Sequence, residues 1–522
     1  MPDMSDEREI LEGLFSDAEA ALERGAIHKA SALCHGILRL APDHAGALRQ
    51  LAAIEINGGD PNVALEFFER ARQLAPADPD LCHGIATALR LMGRPAESEL
   101  ALSAALKADP GHGPSLYDTA MMRQQRGDHK GASKLYLALA AQGVGHFDAA
   151  FNRGVTLYHL GNLVAAERWF HVAAQLDRTS PKPFMNLGMI YRIWGFVKEA
   201  VACQEKAVEL APDNAEAHWN LANALLVTGE FERGFAEYEW RFERAGRAQR
   251  PAGAALLMPR WRGEDLRGKT LLITLEQGLG DAVHFIRFAQ DVAARGGEVV
   301  VESLPALAPL LATAPGVAKV VAPGTAVPGA AYYVPLMSLP YVLGTTLATI
   351  TASVPYLIAP ASVHILPKAS SALRVGLVWR GNPQHENDKR RSVPLDLLAP
   401  LLDVPEVTFF SLQIGDVGPE HTAWQGRLTD LAPLLTDFAK TAAAVQSLDL
   451  VISVDTAVAH VAGALGKPVW ILLAQGNDWR WLHARDDSPW YPTARLFRQQ
   501  RGRNWAPAIR AMVQALKSFI RS

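Results

Sequence analysis

The chain has 522 residues, of which 49% are hydrophobic and 20% charged, with 51 basic against 54 acidic side chains. The length predicts about three to four domains, and the composition gives each an ordinary apolar core, which excludes a disordered chain. A net charge of -3 excludes a broadly basic surface for nucleic acid.

In chain order, Met1 to Ile10 is acidic and lacks the basic and apolar regions of a signal peptide. No apolar run reaches membrane-spanning length, and the expectation is a cytoplasmic protein without a membrane span. A ladder follows. Gly25, Gly59, Gly93, Gly127, Gly161, Gly195 and Gly229 stand 34 residues apart. Five residues behind each comes a small side chain: Ala30, Ala64, Ser98, Ala132, Ala166, Ala200 and Gly234. Pro42, Pro76, Pro110 and Pro212 keep the same spacing. The pattern predicts a two-helix repeat in which glycine makes the turn, the small residue lets the second helix approach the first, and proline breaks the chain before the next unit. Phe68, Tyr136, Phe170 and Tyr238 fill the same phase on second helices, and Leu51, Leu187 and Leu221 on first helices. This resembles the tetratricopeptide repeat, so residues 1–248 are expected to form an α-solenoid of about seven repeats. The three cysteines, Cys34, Cys82 and Cys203, fall on its helices without metal or redox spacing and read as buried thiols.

Asn152, Asn186 and Asn220 also recur every 34 residues on first helices, with Asp118 one unit earlier. An amide both donates and accepts, so this row can clamp the backbone of an extended peptide on the concave face, or it can bond a neighbouring repeat. Peptide binding is one candidate role.

Past Gly229 an aromatic helix, Gly234 to Glu243, precedes a polar stretch at 249–268 that reads as a linker. From Lys269 the period changes to short apolar runs alternating with helices, the pattern of parallel α/β units. Strands are expected at Thr270 to Leu275, Glu298 to Val301, Ala318 to Val321 and Ala331 to Val334 in a first domain, 269–360. Strands at Arg374 to Trp379, Val407 to Leu412, Leu450 to Val454 and Pro468 to Leu473, with a last helix from about Ala506, make a second, 373–522. Val354 to Ala372, rich in Pro, Ala and Ser, reads as the connection. The fold class is thus α + α/β multidomain, a solenoid followed by two Rossmann-like domains in the GT-B arrangement, the first on the acceptor side and the second on the nucleotide-sugar side.

Three motifs carry candidate chemistry. Glu276-Gln277-Gly278-Leu279-Gly280-Asp281 follows the first strand, where the carboxyl end of an open α/β sheet faces its ligand crevice. Gln277, Gly278 and Gly280 form the loop, and Asp281 is either a helix cap or a catalytic carboxylate. The dinucleotide fingerprint is incomplete, since position 283 is Val, and no Walker loop occurs. The second motif runs from Leu450 through Asp455, Thr456, Ala457 and His460 to Gly466-Lys467-Pro468. It reads as strand, turn, helix and strand, with amides at Thr456 and Ala457 placed to hold a pyrophosphate. Asp455 braces the loop or meets a sugar hydroxyl, and His460 is a ligand contact or a packed core residue. The third is basic: His385, Lys389, Arg390 and Arg391 follow the first strand of the second domain, where they neutralise a leaving diphosphate or form a solvated charge run. Gln413, at a strand end, is a candidate contact for the donor base or ribose.

The Asp455-Thr-x-x-x-His460 to Gly466-x-Pro468 pattern resembles the heptosyltransferase-like glycosyltransferases of family 9, and the Gly278-Leu-Gly-Asp281 turn resembles their N-terminal loop. The wider set is similar to bacterial TPR-containing glycosyltransferases. It comprises Glu237-Tyr-Glu-Trp-Arg241, Trp379-Arg-Gly-Asn382-Pro, Ser411-Leu-Gln413, Asp478-Trp-Arg-Trp481 and Asp487-Ser-Pro-Trp490-Tyr. The resemblance implies Asp281 as catalytic base and Arg391 as the basic residue facing the donor. No Asp-x-Asp or metal-spaced cluster occurs in the catalytic half, so a metal-independent, inverting enzyme is expected, with a nucleotide-sugar as substrate and no cofactor. The expected acceptor is a protein hydroxyl on Ser or Thr, with flagellin as one candidate, recruited by the solenoid. A glycan or lipopolysaccharide acceptor, and a non-catalytic adaptor that binds a nucleotide, are the alternatives.

Overall fold

The computed structural model describes residues 4–143, 147–244, 258–360, 372–384, 388–415, 424, 426–500 and 502–521. Among them, helices from Met4–Glu23 to Phe231–Tyr238 form seven pairs in the 34-residue phase. All seven ladder glycines adopt left-handed backbone, φ between 72° and 92°, a conformation in which a Cβ would be strained. The small register is fully buried at Ala30, Ala64, Ala132, Ala166 and Ala200. Ser98 fits by donating its hydroxyl to the Ala86 carbonyl at 2.7 Å, and a Cβ on Gly234 would stand 2.8 Å from Leu226. Cys34 and Cys82 are buried, whereas Cys203 is half-buried.

The chain divides into two compact units, Met1–Pro183 and Phe184–Ser522. The first holds repeats 1–5. The second holds repeats 6 and 7 together with both sheets, so the contiguous repeat sequence does not end where the first compact unit does.

The first sheet contains β1 (Thr270–Thr274), β2 (Glu298–Glu302), β3 (Val317–Val321) and β4 (Ala330–Pro335), all parallel in the order β3-β2-β1-β4. The second contains β5 (Leu373–Val378), β6 (Val407–Ser411), β7 (Leu428–Asp430), β8 (Leu450–Val454), β9 (Val469–Leu473) and β10 (Ala494–Arg498), parallel in the order β10-β9-β8-β5-β6-β7. Strands β7 and β10 were not anticipated; Leu428–Asp430 is three residues long, and Ala494–Arg498 has arginines at both 495 and 498 that mask its apolar alternation. Successive side chains in β5 face opposite ways. Val375 and Leu377 pack with Met512 of the helix Ala506–Phe519, while Val378 joins the core shared with the first sheet. That shared core also takes in Phe231, Phe235 and Tyr238 of repeat 7.

Two segments expected as connections are docked. Trp261 donates its N–H to the Tyr333 carbonyl at 2.8 Å, and both Trp261 and Leu266 are fully buried, so 258–268 extends the first sheet's core rather than linking domains. Tyr356 and Leu357 both donate to the Ala464 carbonyl, at 3.0 and 3.3 Å, fastening the start of the Val354 to Ala372 connection to the second domain.

In both sheets the order of strands reverses once, between β1 and β4 and between β5 and β8. Ligands of open α/β sheets bind at the carboxyl ends of strands beside such a reversal. The loops after β1 and after β8 are therefore the places to look.

Candidate active site

The loop after β1 is built on residues that repeat 7 holds. Glu276 is buried and accepts from Arg241 Nε at 3.0 Å and Nη2 at 2.7 Å, and from the Met337 N–H beyond β4 at 3.1 Å. Gln277 takes left-handed backbone, φ 63°, which is strained for a side chain with a Cβ, and its amide donates to the Tyr238 hydroxyl at 2.8 Å. Gly278 then caps the helix Leu279–Phe285. Asp281, in its first turn, accepts from the Gly278 N–H through Oδ2 at 2.8 Å. Its Oδ1 accepts from Arg480 Nη2 at 2.6 Å.

The loop after β8 presents Asp455, Thr456 and Ala457 at the start of the helix Ala457–Ala464, all partly exposed. The Thr456 hydroxyl lies 2.9 Å from that of Ser453. Arg391 Nη1 donates to the Asp455 carbonyl at 3.0 Å, tying the loop after β5 to the loop after β8 across the reversal. A Cβ on Gly381 would stand 2.3 Å from Asp388 Oδ1 and 2.5 Å from Arg391 Nε, so the missing side chain leaves room for that ion pair.

The two loops meet. A Cβ on Gly280 would lie 3.1 Å from His460 Cδ2 and 3.4 Å from the Ala457 Cα, so the missing side chain lets the two helix starts touch. Behind them the Tyr491 hydroxyl lies 2.8 Å from His284 Nδ1 and 2.9 Å from His460 Nδ1. One hydroxyl proton serves only one of these nitrogens, so the other imidazole carries its own proton on Nδ1. His284 Nε2 is buried without a partner, which costs least as a bare lone pair. With that nitrogen bare, His284 carries its proton on Nδ1 and donates it to the Tyr491 hydroxyl, whose own proton goes to His460 Nδ1 or to the Tyr356 hydroxyl 3.4 Å away.

Burial sets the charge states. It pushes His460 down to about 3, helped by Arg480, and His284 well below its ordinary value, so both are neutral near pH 7. It lifts Asp455 to about 6, with Asp478 adding and Trp481, Arg391 and Arg480 opposing. Burial also raises Asp281 against the pull of Arg480 and the Gly278 N–H. Asp478 falls: burial works against ionisation there, but the Arg480 charge and its backbone and side-chain hydrogen bonds prevail.

The sequence candidates are thus placed as follows. Asp281, Gln277, Gly278, Gly280, Thr456, Ala457 and His460 converge on the contact between the two helix starts, and Arg391 and Asp455 stand beside it. Lys389 is exposed, and His385 lies outside the described residues. Gln413 is buried, and its Oε1 accepts from the N–H groups of Trp379 and Arg380 at 3.2 and 2.9 Å, so that oxygen braces the loop after β5. Asn152 donates to the Tyr117 hydroxyl of the preceding repeat at 3.2 Å, the inter-repeat alternative. Asn186 and Asn220 are half-buried on their first helices. Among the described residues no cluster of three or more His, Cys, Asp or Glu is placed to hold a metal ion. Missed were Arg480, Glu276 and the Tyr491 hub; the signal available was the density of Arg and Trp between 478 and 491.

Two clefts lie elsewhere in this unit, about 1110 Å³ beside Asp213, Glu243 and Arg262, and about 470 Å³ beside Arg192, His483 and Arg498. Neither contains Asp281 or Thr456.

Comparison with known proteins bears on both halves. Tetratricopeptide repeat models match residues 56–121 and 117–181, and a TPR repeat model matches 188–229. The model of glycosyltransferase family 9 (heptosyltransferase) matches residues 420–504, which include Asp455 to His460 and Arg480 but not Asp281. Protein FlbA of Caulobacter vibrioides is 28% identical over 528 residues, covering 93% of this chain and 80% of that one. Human protein O-mannosyl-transferase TMTC1 is 27% identical over 194 residues, 34% of this chain and 20% of its own. The solved structure of pilF from Pseudomonas aeruginosa aligns with 41% of this chain and 96% of its own at a TM-score of 0.37 and 16% identity.

Proposed function

We propose that this chain, in which tetratricopeptide repeats are joined to a glycosyltransferase family 9 domain, moves a sugar from a nucleotide-sugar to a hydroxyl of a protein acceptor. The observation that carries the reading is the meeting of the helix start that bears Asp281 with the helix start at Ala457, through Gly280, each beside the strand-order reversal of its own sheet. The donor diphosphate lies against the amides and hydroxyl of Thr456 and Ala457, with Arg391 supplying positive charge and no metal ion required. Asp281 takes the proton from the attacking hydroxyl as the bond to the departing diphosphate breaks, which inverts the anomeric carbon. The repeats favour a protein acceptor such as a Ser- or Thr-bearing segment of flagellin, and one relative's name, protein O-mannosyl-transferase, agrees with that class.

The test is release of free nucleotide from a panel of UDP-, GDP-, ADP- and dTDP-sugars, with and without candidate acceptor proteins, by wild type and Asp281→Asn. Asp281→Asn is expected to fold, to retain donor binding in a thermal-shift assay, and to lose transfer by at least about a hundredfold. Full turnover in that variant overturns the assignment of the base.

A further inference from the structure

Arg480 sits in the loop after β9 with its side chain 6% exposed. Nη2 meets Asp281 Oδ1 at 2.6 Å, Nη1 meets Asp478 Oδ1 at 2.8 Å, and its backbone N–H donates to the same Asp478 oxygen at 3.0 Å. The guanidinium also lies over the rings of Trp479 and Phe285, 4.5 and 5.1 Å from their centres. Its Nε is buried without a partner. A planar fork packed against two rings and held at two corners has little freedom, and the corner it offers to the first sheet ends on the candidate base.

We propose that Arg480 is the positioning residue of Asp281, fixing the carboxylate from the opposite domain and supplying its counter-charge, while Asp478 fixes Arg480 in turn. This rests on the reading of Asp281 as base. With Oδ2 on the Gly278 N–H and Oδ1 on Arg480, the carboxylate keeps one orientation, and each oxygen retains a second lone pair for the acceptor proton. The charged and titratable groups facing Asp281 are Arg480 and Asp478 from the loop after β9, Glu276 from its own loop and Tyr238 from repeat 7. His460, from the helix after β8, stands by neutral. Arg480 is the cation that contacts Asp281 directly; Glu276 is already matched by Arg241.

The sign follows. A general base works only when deprotonated, so turnover is lost as pH falls through its pKa. Burial raises that pKa and Arg480 lowers it, so removing the guanidinium moves the acid limb of kcat/KM upward. Removing the Asp478 charge takes away a like charge and moves the limb downward. The experiment is the pH profile of nucleotide release, on the full-length chain, with whichever sugar of the panel turns over. Arg480→Met is expected to shift the limb up by at least one pH unit, Arg480→Lys by less, and Asp478→Asn down. Limbs that stay in place in Arg480→Met and Asp478→Asn while kcat falls would reduce Arg480 to a structural tie and overturn the proposal. If Arg480→Met does not fold, the Asp478→Asn and Arg480→Lys profiles decide between the same outcomes. Failure of the base itself is separately visible, because Asp281→Asn would then retain turnover whatever the limbs do.

Discussion

Repeats 2 and 7 obey the same 34-residue rule and are built for different neighbours. The first helix of repeat 2, Ala45–Gly58, buries Ala47, Leu48, Leu51 and Ala52, one apolar stripe of the kind a solenoid needs for stacking. The first helix of repeat 7, Ala215–Thr228, buries eight residues: Ala217, His218, Leu221, Ala222, Ala224, Leu225, Leu226 and Val227. The first helix of repeat 3, Pro79–Leu91, buries seven residues within the stack, so a second partner is marked by what Leu226 and Val227 join and not by the extent of burial. Here that partner is the catalytic region, through the shared core that holds Leu226 and Val227 with Trp479 and Trp490. Periodicity therefore reports how a repeat is made, and the apolar residues outside the periodic stripe report what it is fused to.

The largest effects should come from cutting repeat 7 away from that core. Phe231 stacks on Trp490 with centroids 5.5 Å apart, and Phe235 meets Trp479 edge-on at 5.5 Å. Phe235→Ala is expected to destabilise the second unit by about 3–5 kcal/mol. Arg241→Met, which strands the buried Glu276 carboxylate, should cost a similar 3–5 kcal/mol or so. Urea denaturation followed by tryptophan fluorescence measures both. The corresponding truncation of repeats 6 and 7 should give insoluble protein, so it is no neutral test of whether the repeats select the acceptor. A soluble, active chain lacking them would break the comparison.

This fusion was partly legible in the sequence. The glycine ladder and the strands Thr270–Thr274, Glu298–Glu302 and Leu450–Val454 could be read because each depends on local periodicity and on backbone preferences set within a few residues. Asp281, Thr456 and His460 were legible as motifs beside predicted strand ends. Arg480 and Tyr491 were not, since their meaning depends on partners 199 and 207 residues away, Asp281 and His284. The bracing role of Gln413 was not legible for the same reason, since it depends on where the fold brings the N–H groups of Trp379 and Arg380. The Ala224-Leu-Leu-Val227 run was the one local sign that repeat 7 had a second neighbour.

Acid sharpens the contrast next. His284 and His460 are held neutral in the fold, the latter to about pH 3, whereas an unfolded imidazole takes up a proton below about 6.5. The unfolded state then binds more protons, so this stability is fully present above pH 6.5 and drains as pH falls toward 3. Each histidine contributes up to about 1.4 kcal/mol per pH unit. Asp455, raised to about 6, opposes one of them between pH 6 and about 4; Asp281, also raised by burial, works in the same direction as Asp455, and the depressed Asp478 adds to the loss at the acid end. Denaturation midpoints between pH 7 and 4 should fall for the second unit's transition, identified by its loss in Phe235→Ala. His460→Gln should flatten the slope, and an unchanged slope would remove His460 from the account.

A smaller, position-matched test uses two glycines of the ladder. Gly93 and Gly195 have φ of 72° and 78°, so alanine at either pays the left-handed cost of about 1–2 kcal/mol. A Cβ at Gly93 meets nothing within 4 Å, while at Gly195 it would stand 2.8 Å from His483 Cε1. His483 is exposed and meets this position with the far end of its ring, so part of the contact is relieved by rotating the side chain. Gly195→Ala should therefore be the more damaging by at most about 1 kcal/mol in thermal denaturation. The excess should vanish on a His483→Ala background. Equal costs at the two positions would mean that repeat 6 does not feel the catalytic loop.

The smallest effect belongs to the asparagine row and bears on what repeats 1–5 are for. Asn152 spends its amide on Tyr117, so Asn152→Ala should lower the first unit's stability by roughly 1 kcal/mol. Tyr117→Phe removes the same bond from the other side without emptying the Asn152 position. If the row only braces neighbouring repeats, the two variants match in stability and leave the KM for a protein acceptor unchanged. If Asn152 exchanges Tyr117 for an acceptor backbone, Asn152→Ala raises that KM while Tyr117→Phe, which frees the amide, lowers it. Opposite signs from the two ends of one hydrogen bond cannot come from lost stability, and equal KM values would restrict the concave face's role in repeat 5 to architecture.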